Sequence, residues 1–235
     1  MKLSVIIPAY NEADRLPKTL QEAHEWLTQS LGETFEILVV DDGSSDATSE
    51  SVSVLMASMP ELRLLQQPEN RGKGAAVRRG MLEAEGEILL FMDADHATHV
   101  CEVKKALPLL ANGIDVVLAS RQHPDSDIAE HQSWLREHMG QSFNLLMKLM
   151  VGLDMQDSQC GFKVFTTAAA QSIFSRQKLN GFSFDVEVLF LAKELDFSMA
   201  EIPVRWVNEP NSKVRMLLDP LAMFVDLLRI RRLHR

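Results

Sequence analysis

Short apolar segments that alternate with helical patterns constrain the fold of this chain more than any other feature of its sequence. The candidate strands are rich in β-branched residues and cover residues 3–9, 35–40, 62–66, 87–92 and 114–119. Between them, apolar residues recur at helical spacing over about 13–30, 46–57, 73–84 and 99–110. Strands that alternate with helices through short connections predict an α/β fold, with a central, mostly parallel sheet flanked by helices.

The second half of the chain is patterned differently from the first. After a polar loop at 121–132 we expect a helix, a strand, a helix, a strand and a helix over 133–150, 160–165, 184–195, 199–207 and 216–234. No repeat and no Gly/Ser linker separates the halves, so a single domain over 1–235 is predicted. In it, residues 1–120 would bind a nucleotide, 121–215 would shape a substrate site, and 216–235 would form a C-terminal helix.

Composition excludes several classes of protein. The 235 residues carry a formal net charge of −9, which argues against nucleic-acid binding because that requires a basic face. Cys101 and Cys160 form no CxxC or CxxH motif, so we expect buried or half-buried thiols in a reducing compartment. His96, His123 and His131 match no zinc-site spacing. The apolar runs are too short for a signal peptide or a membrane span, so a cytoplasmic location is predicted.

Polar residues directly follow four of the candidate strands. They are Tyr10 to Glu12, Asp41 with Asp42, Asp93 with Asp95, and Ser120 with Arg121. The carboxyl ends of parallel strands meet at one edge of a sheet, where open α/β sheets bind their ligands. The sequence therefore predicts a ligand site at this edge.

Two motifs carry groups suited to a diphosphate. The motif DAD at 93–95 can present carboxylate oxygens to Mg²⁺ or Mn²⁺, which would bridge them to the diphosphate. In NRGKGAAVRRG at 70–80, glycines flank Lys73 before a helix, so backbone amides and an ammonium group suit a phosphate. Neither pattern is specific alone, because D-x-D is common in solvated turns and no Walker A or GxGxxG motif is present.

Two further motifs permit both a functional and a structural interpretation. DDGSSDAT at 41–48 offers an acid to a ribose or a base, and it also fits a simple turn with a helix N-cap. QDSQCGFKVF at 156–165 places an acid, an amide and a lysine close together, and it also fits a loop that enters a strand. Both alternatives stay open on these residues alone.

Together the motifs resemble glycosyltransferase family 2, whose members have the GT-A nucleotide-sugar fold. VIIPAYNEADRLP, VVDDGSSDAT, ENRGKGAAVRRG, MDADHAT, DSQCGFKVFT, FDVEVLFLA and IPVRWVNEPNSKV are similar to segments of dolichyl-phosphate β-glucosyltransferases. The similarity runs nearly end to end. It implies a metal-dependent, inverting enzyme that moves a hexose, here glucose, from a UDP-sugar to a polyprenyl phosphate with Mg²⁺ or Mn²⁺ as cofactor.

The resemblance also implies roles for individual residues. It implies a uridine pocket at Pro8, Tyr10, Glu12 and Asp42, a donor-side cation at Lys73, metal ligands at Asp93 and Asp95, phosphate-binding arginines at Arg121 and Arg136, an acceptor-side loop with Asp157, Gln159 and Lys163, and a closing loop with Ser212 and Lys213. Of these, Arg121, Arg136, Asp157 and Lys163 are the expected catalytic residues. Asp157 would orient the acceptor or act as a base. His96 and Asn211 depart from the pattern, because the relatives have glycine there.

The C-terminal segment is basic, although the chain as a whole carries a net negative charge. Residues 201–235 contain seven Lys and Arg but only four Asp and Glu, and 216–235 carry leucines and a phenylalanine at helical spacing. Such a basic amphipathic helix lies on a membrane surface or packs on the core. We expect peripheral contact with the cytoplasmic membrane face. A soluble sugar or glycan acceptor, and a non-catalytic nucleotide-sugar-binding protein, are the alternatives.

Overall fold

A seven-stranded mixed sheet forms the centre of the chain. The computed structural model describes residues 2–31, 34–129, 152–153, 155–207 and 218–234, and only the backbone of 218–223. The sheet contains β1 Leu3–Ala9, β2 Phe35–Asp41, β3 Leu62–Gln66, β4 Ile88–Met92, β5 Val116–Ser120, β7 Phe162–Thr166 and β8 Met199–Pro203. Their order is β3-β2-β1-β4-β7-β5-β8. A separate two-stranded sheet pairs β6 Asp127–Ile128 with β9 Arg205–Trp206.

Helices cover both faces of the sheet. They are α1 Leu16–Leu31, α2 Thr48–Met56, α3 Lys73–Glu83, α4 Val103–Ala111, α5 Thr167–Phe174, α6 Phe184–Glu194 and α7 Leu218–Leu233. α1, α2 and α4 share one apolar core with the sheet, and α3, α5, α6 and α7 share the other. Every residue of β1, β2, β4 and β5 is buried, as expected for strands covered by helices on both sides. The predicted α/β class is thus confirmed.

Three details of the fold differ from the predictions. β7 lies antiparallel between β4 and β5, so the central strands are mixed in direction. Residues 167–174, for which no element was predicted, form α5, and the Thr166 hydroxyl caps it by accepting a hydrogen bond from the amide of Ala169. The strand predicted over 199–207 is divided at Val204 into β8 and β9, which pair in different sheets.

The C-terminal helix α7 carries apolar side chains on both its buried and its exposed sides. Leu227 and Ile230 are buried in the core, whereas Phe224 and Leu228 are 38% and 51% exposed. Within the residues that the structure describes, every helix is too short or too polar to cross a bilayer. Helix α7 therefore both packs on the core and presents apolar side chains to the outside.

Both cysteines are free thiols. Cys101 is half-buried and Cys160 is buried, as predicted. Burial raises the pKa of the Cys160 thiol to about 12. At neutral pH Cys160 is therefore a protonated packing residue.

Candidate active site

The carboxyl ends of β1, β2, β4 and β5 meet at one side of the sheet, which we name the carboxyl edge. Ala9 at the end of β1 pairs with Asp41 at the end of β2 in parallel register. β7 runs in the opposite direction, and Phe162 at its beginning pairs with Met92 at the end of β4. The loop of residues 157–161, which precedes β7, is therefore brought to the same edge.

An acidic pair follows β4 and is accompanied by a lysine. Lys73 Nζ lies 2.6 Å from Asp93 Oδ1, and Asp95 accepts a 3.1 Å hydrogen bond from the amide of Ala97. Burial and the neighbouring charge of Asp93 raise the pKa of Asp95. Burial alone would lower the pKa of Lys73, but the carboxylates of Asp93 and Asp185 raise it. Lys73 therefore keeps its positive charge.

The acidic pair fits a divalent cation. Mg²⁺ is commonly held by one or two carboxylates, with phosphate and water oxygens as its other ligands. The charge of Asp93 raises the pKa of Asp95, and a cation between the two carboxylates would relieve this repulsion. Among the residues that the structure describes, no group of three or more His, Cys, Asp and Glu side chains is arranged for a metal ion.

Gly161 packs directly against the first acid of this pair. Its carbonyl accepts a 3.0 Å hydrogen bond from the amide of Asp93. A Cβ at position 161 would lie 1.9 Å from Asp93 Oδ2, and real Cβ atoms essentially never show contacts under 3.0 Å. A glycine at 161 is therefore required for the observed position of the Asp93 carboxylate. The motif QDSQCGFKVF gave no indication of this contact in the sequence.

Arg121 and Asp157, 36 residues apart, form a bidentate ion pair at the carboxyl edge. Arg121 Nε and Nη2 donate to the two carboxylate oxygens at 2.6 and 2.9 Å, and the Arg121 amide donates at 3.0 Å. Asp157 is 2% exposed. Burial alone would raise the pKa of Asp157, but the Arg121 guanidinium lowers it below its ordinary value. Asp157 is thus an anionic anchor that fixes the guanidinium.

Lys163 lies inside β7, behind the loop to which the sequence pattern assigned it. It is 1% exposed, and its ammonium group pairs with Asp185 and donates to the carbonyl of Cys160 at 2.8 Å. Strand β7 accounts for this difference, because alternate side chains of a covered strand point into the core. Lys163 therefore affects the site only indirectly, by holding the backbone of the 157–161 loop. Sequence reasoning missed Asp185, although an acid in the apolar run FDVEVLF requires a buried partner.

Asp42 organises the loop that leads to Lys73. Its carboxylate accepts 2.8 Å hydrogen bonds from the amides of Arg71 and Gly72, and a 2.6 Å bond from Gln67 Nε2. Burial raises the pKa of Asp42, and these bonds offset only part of that rise. Gly72 has φ +101, and a Cβ there would lie 2.4 Å from the carbonyl oxygen of Asn180. Asp42 therefore holds the start of α3.

The other residues expected to form a uridine pocket lie at the end of β1. Pro8 is the sixth residue of β1, and the ring of Tyr10 is 40% exposed. Glu12 is buried, accepts a 2.7 Å hydrogen bond from Arg15 Nη2, and donates from its amide to Thr48 Oγ1 at 2.8 Å. The exposed Tyr10 ring is available to stack on a planar base.

Four further expectations concern the acceptor side. Gln159 lies in the 157–161 loop, and its amide donates to Asp157 Oδ1 at 3.2 Å. Arg136, Ser212 and Lys213, like the predicted helix over 133–150, lie outside the residues that the structure describes. The structure thus brings together Lys73, Asp93, Asp95, Arg121, Asp157 and Gln159 at the carboxyl edge.

Comparison with known proteins identifies relatives of the whole chain. Residues 4–180 match the family described as Glycosyl transferase family 2. The dolichyl-phosphate beta-glucosyltransferase of Drosophila melanogaster is 40% identical over 98% of this chain and 74% of the relative. The enzyme of the same name from Dictyostelium discoideum is 37% identical over 97% of this chain and 73% of the relative.

Solved structures share the fold at lower sequence identity. Mannosyl-3-phosphoglycerate synthase from Rubrobacter xylanophilus superposes with a TM-score of 0.71 at 20% identity, over 100% of this chain and 74% of that one. Glucosyl-3-phosphoglycerate synthase from Mycobacterium tuberculosis, solved with Mn²⁺, UDP-glucose and phosphoglyceric acid, has a TM-score of 0.67 at 21% identity, over 98% and 79%. These likenesses confirm the GT-A fold. The family match, together with two relatives that align with 97% and 98% of this chain, shows that the chain is a glycosyltransferase that belongs to family 2.

Proposed function

We propose that the chain transfers glucose from UDP-glucose to a polyprenyl monophosphate of the dolichyl type, with inversion at the anomeric carbon. The observation that carries the proposal is the carboxyl edge itself, where the acids Asp93 and Asp95 lie beside the cations Lys73 and Arg121. Such an edge suits a substrate pair with phosphates on both partners. The names of the relatives at 37% and 40% identity support this choice of donor sugar and acceptor.

The donor side of the proposal rests on the acidic pair and on Lys73. A divalent cation, Mg²⁺ or Mn²⁺, held by Asp93 and Asp95 would supply neutralising charge to the leaving diphosphate. Lys73 adds a fixed cation 2.6 Å from Asp93, and its raised pKa keeps it protonated throughout the neutral range. A preorganised cation stabilises the charge that develops on the leaving group more than mobile water does.

The nucleotide would bind at the part of the carboxyl edge that β1 and β2 form. Here the exposed ring of Tyr10 would stack on uracil, next to Pro8 and Glu12. Asp42 would act through the loop that it holds, because its carboxylate already accepts hydrogen bonds from Gln67 and from two backbone amides.

The acceptor side rests on the Arg121–Asp157 pair. In this pair Asp157 occupies Nε and Nη2 of the guanidinium, which leaves Nη1 for an acceptor phosphate, together with Arg136. A phosphate monoester is already anionic at neutral pH, so one of its oxygens attacks C1 directly while the bond from C1 to the diphosphate breaks. The lowered pKa of Asp157 makes it a poor base, which favours its role as an anchor of Arg121.

On the acceptor side, one group of residues would hold the 157–161 loop and another would close over the substrates. Lys163 holds the carbonyl of Cys160, and in this way it fixes the backbone beside Gln159. Ser212 and Lys213 are proposed to close over the bound substrates. These roles follow the family pattern, with the contacts of Lys163 as their structural support.

Helix α7 is proposed to bring the carboxyl edge to a membrane surface, where a lipid acceptor is found. Phe224 and Leu228 are exposed, and exposed arginines follow at 229, 231 and 232. Apolar side chains next to arginines match the boundary between acyl chains and anionic headgroups. The free thiols at 101 and 160 are compatible with the cytoplasmic side.

A donor and acceptor screen tests the proposal. UDP-glucose, UDP-galactose, UDP-N-acetylglucosamine and GDP-mannose, each with a labelled sugar, would be incubated with dolichyl phosphate and Mg²⁺ or Mn²⁺. We expect label to enter the organic phase with UDP-glucose, in a mild-acid-labile product. Label that stays in water with a sugar acceptor, or enters the lipid only from another donor, would contradict the proposal.

A further inference from the structure

A cavity lined by basic side chains lies between α3, the segment after α5 and the end of α7. Its volume is about 530 Å³, and Arg78, Arg176, Gln177, Lys178 and His234 contribute to its walls. Cavities that hold small ligands are typically about 300–1,000 Å³. The cavity therefore has room for a phosphorylated small molecule or a lipid headgroup.

The cations of this cavity are fixed in place without being neutralised. Arg78 Nε donates to the carbonyl of Phe174 at 3.0 Å, Arg176 Nη1 donates to that of Ser172 at 2.7 Å, and Lys178 Nζ donates to a carbonyl at the end of α7. Among the described residues that line the cavity, none carries a carboxylate side chain. Three ordered positive charges therefore face one space in a chain whose net charge is −9.

Gln177 adds an acceptor that lacks a donor. The side chain is 2% exposed, and both protons of Nε2 are used, at 2.9 Å to the carbonyl of Gly74 and at 2.8 Å to that of Leu179. These two carbonyls fix the orientation of the amide. Within the described part of the chain, Gln177 Oε1 accepts no hydrogen bond. A buried acceptor without a partner is costly, and this oxygen has almost no accessible surface. The Gln177 amide therefore forms a rigid wall of the cavity.

A buried acid next to the wall of the cavity is already bonded to other groups of the protein. Glu187 is fully buried and accepts 2.8 Å hydrogen bonds from the amides of Lys178 and Leu179. His234 Nε2 lies 2.6 Å from the same carboxylate. Glu187 therefore fastens the end of α7 to the wall of the cavity, and its charge is used within the protein.

We propose that this cavity binds a phosphate-bearing ligand. The arginine and lysine donors of its walls suit the phosphate oxygens. The Gln177 amide group holds the carbonyl of Gly74, the residue after Lys73, so the site touches the first turn of α3. The ligand is either a soluble phosphate ester or the phosphate headgroup of a lipid.

Calorimetric titration of the full chain with inorganic pyrophosphate and with glycerol 3-phosphate, in EDTA, tests the soluble source. We expect saturable binding that is at least about tenfold weaker in Arg176→Gln/Lys178→Gln, because two of three charge-assisted contacts are lost. Lys18→Gln/Arg205→Gln is the matched control, since it removes the same charge from side chains that are 80% and 70% exposed. Equal binding by the wild type and the cavity variant, with unchanged melting temperatures, would exclude a soluble phosphate ester as the ligand.

Sedimentation with vesicles tests the lipid source. Vesicles of phosphatidylcholine alone would be compared with vesicles that also contain phosphatidic acid. A headgroup site predicts that phosphatidic acid increases binding by the wild type and by the control variant but not by Arg176→Gln/Lys178→Gln. If neither the vesicles nor the soluble phosphates distinguish the cavity variant from the control, the proposal is wrong. None of these readouts depends on glucosyl transfer.

Discussion

Replacement of Gly161 by alanine should damage the acidic pair while the fold survives. The new Cβ would lie 1.9 Å from Asp93 Oδ2, and contacts below 3.0 Å essentially never occur, so the carboxylate must retreat by about 1 Å and give up its contact with Lys73. A misplacement of about 1 Å at a reacting centre costs about 100-fold in rate. Overpacking at this position should cost about 1–3 kcal/mol of stability. Because Gly161 is not in the left-handed region, the restriction that alanine places on the unfolded chain offsets up to about 1 kcal/mol of this cost.

Gly181→Ala is the matched control for this substitution. A Cβ at position 181 would meet no atom within 4 Å, and its backbone is not left-handed. The assay is the release of UDP from UDP-glucose with dolichyl phosphate, together with calorimetric binding of UDP in Mn²⁺ and a thermal melt. We expect about 100-fold lower kcat/KM and weaker metal-dependent UDP binding in Gly161→Ala only. Turnover within about threefold of the wild type would refute the reasoning, as would a fall in melting temperature large enough to explain the loss.

Three further predictions concern the buried ion pair and the C-terminal helix. Asp157→Asn should cost about 3 kcal/mol at pH 7 in urea unfolding, because Arg121 loses its counter-charge in a buried site. The pKa of Asp157 is lower in the folded than in the unfolded protein, so the ionised Asp157 stabilises the fold above the unfolded pKa of about 4. The cost of the substitution should therefore vanish as the pH falls through the folded pKa of Asp157. A cost that does not depend on pH would contradict this. Phe224→Ser/Leu228→Ser should reduce flotation with anionic vesicles at unchanged melting temperature, since both side chains are exposed; undiminished flotation would reject α7 as the membrane contact. Leu227→Ala should instead cost about 2–4 kcal/mol of stability because that side chain is 2% exposed, and a cost below about 1 kcal/mol would show that α7 is not docked as described.

The strands of the sheet were predictable because their signal is local. A covered parallel strand is a continuous apolar run, and LSVIIPA and FEILVV become β1 and β2 with boundaries within one residue of the prediction. The place of β7 between β4 and β5 was not predictable in this way. Strand order depends on pairings such as Met92 with Phe162, which are far apart in the sequence. Helix α5 was missed because it has only eight residues and no acid in its first turn.

The position of the candidate site was predictable, and the pairing of its residues was less so. The place of Asp93 and Asp95 at the carboxyl edge could be predicted because DAD directly follows the strand β4. The ion pair of Asp157 with Arg121 joins residues that are 36 positions apart, and that of Lys163 with Asp185 joins residues that are 22 positions apart. Two buried charges that neutralise one another leave no periodic trace in a sequence. The only local signal was the cost of an unpaired acid in an apolar segment.

The most direct test of the account is the transfer of labelled glucose to lipid by the wild type and by Asp95→Ala. Both proteins would be incubated with UDP-glucose labelled in the sugar, dolichyl phosphate and Mn²⁺, and label in the organic phase would be counted over time. We expect time-dependent label with the wild type, none with EDTA, and at least about 1,000-fold less with Asp95→Ala at an unchanged melting temperature. Equal lipid labelling by the two proteins, or no lipid labelling by a folded wild type, would contradict it.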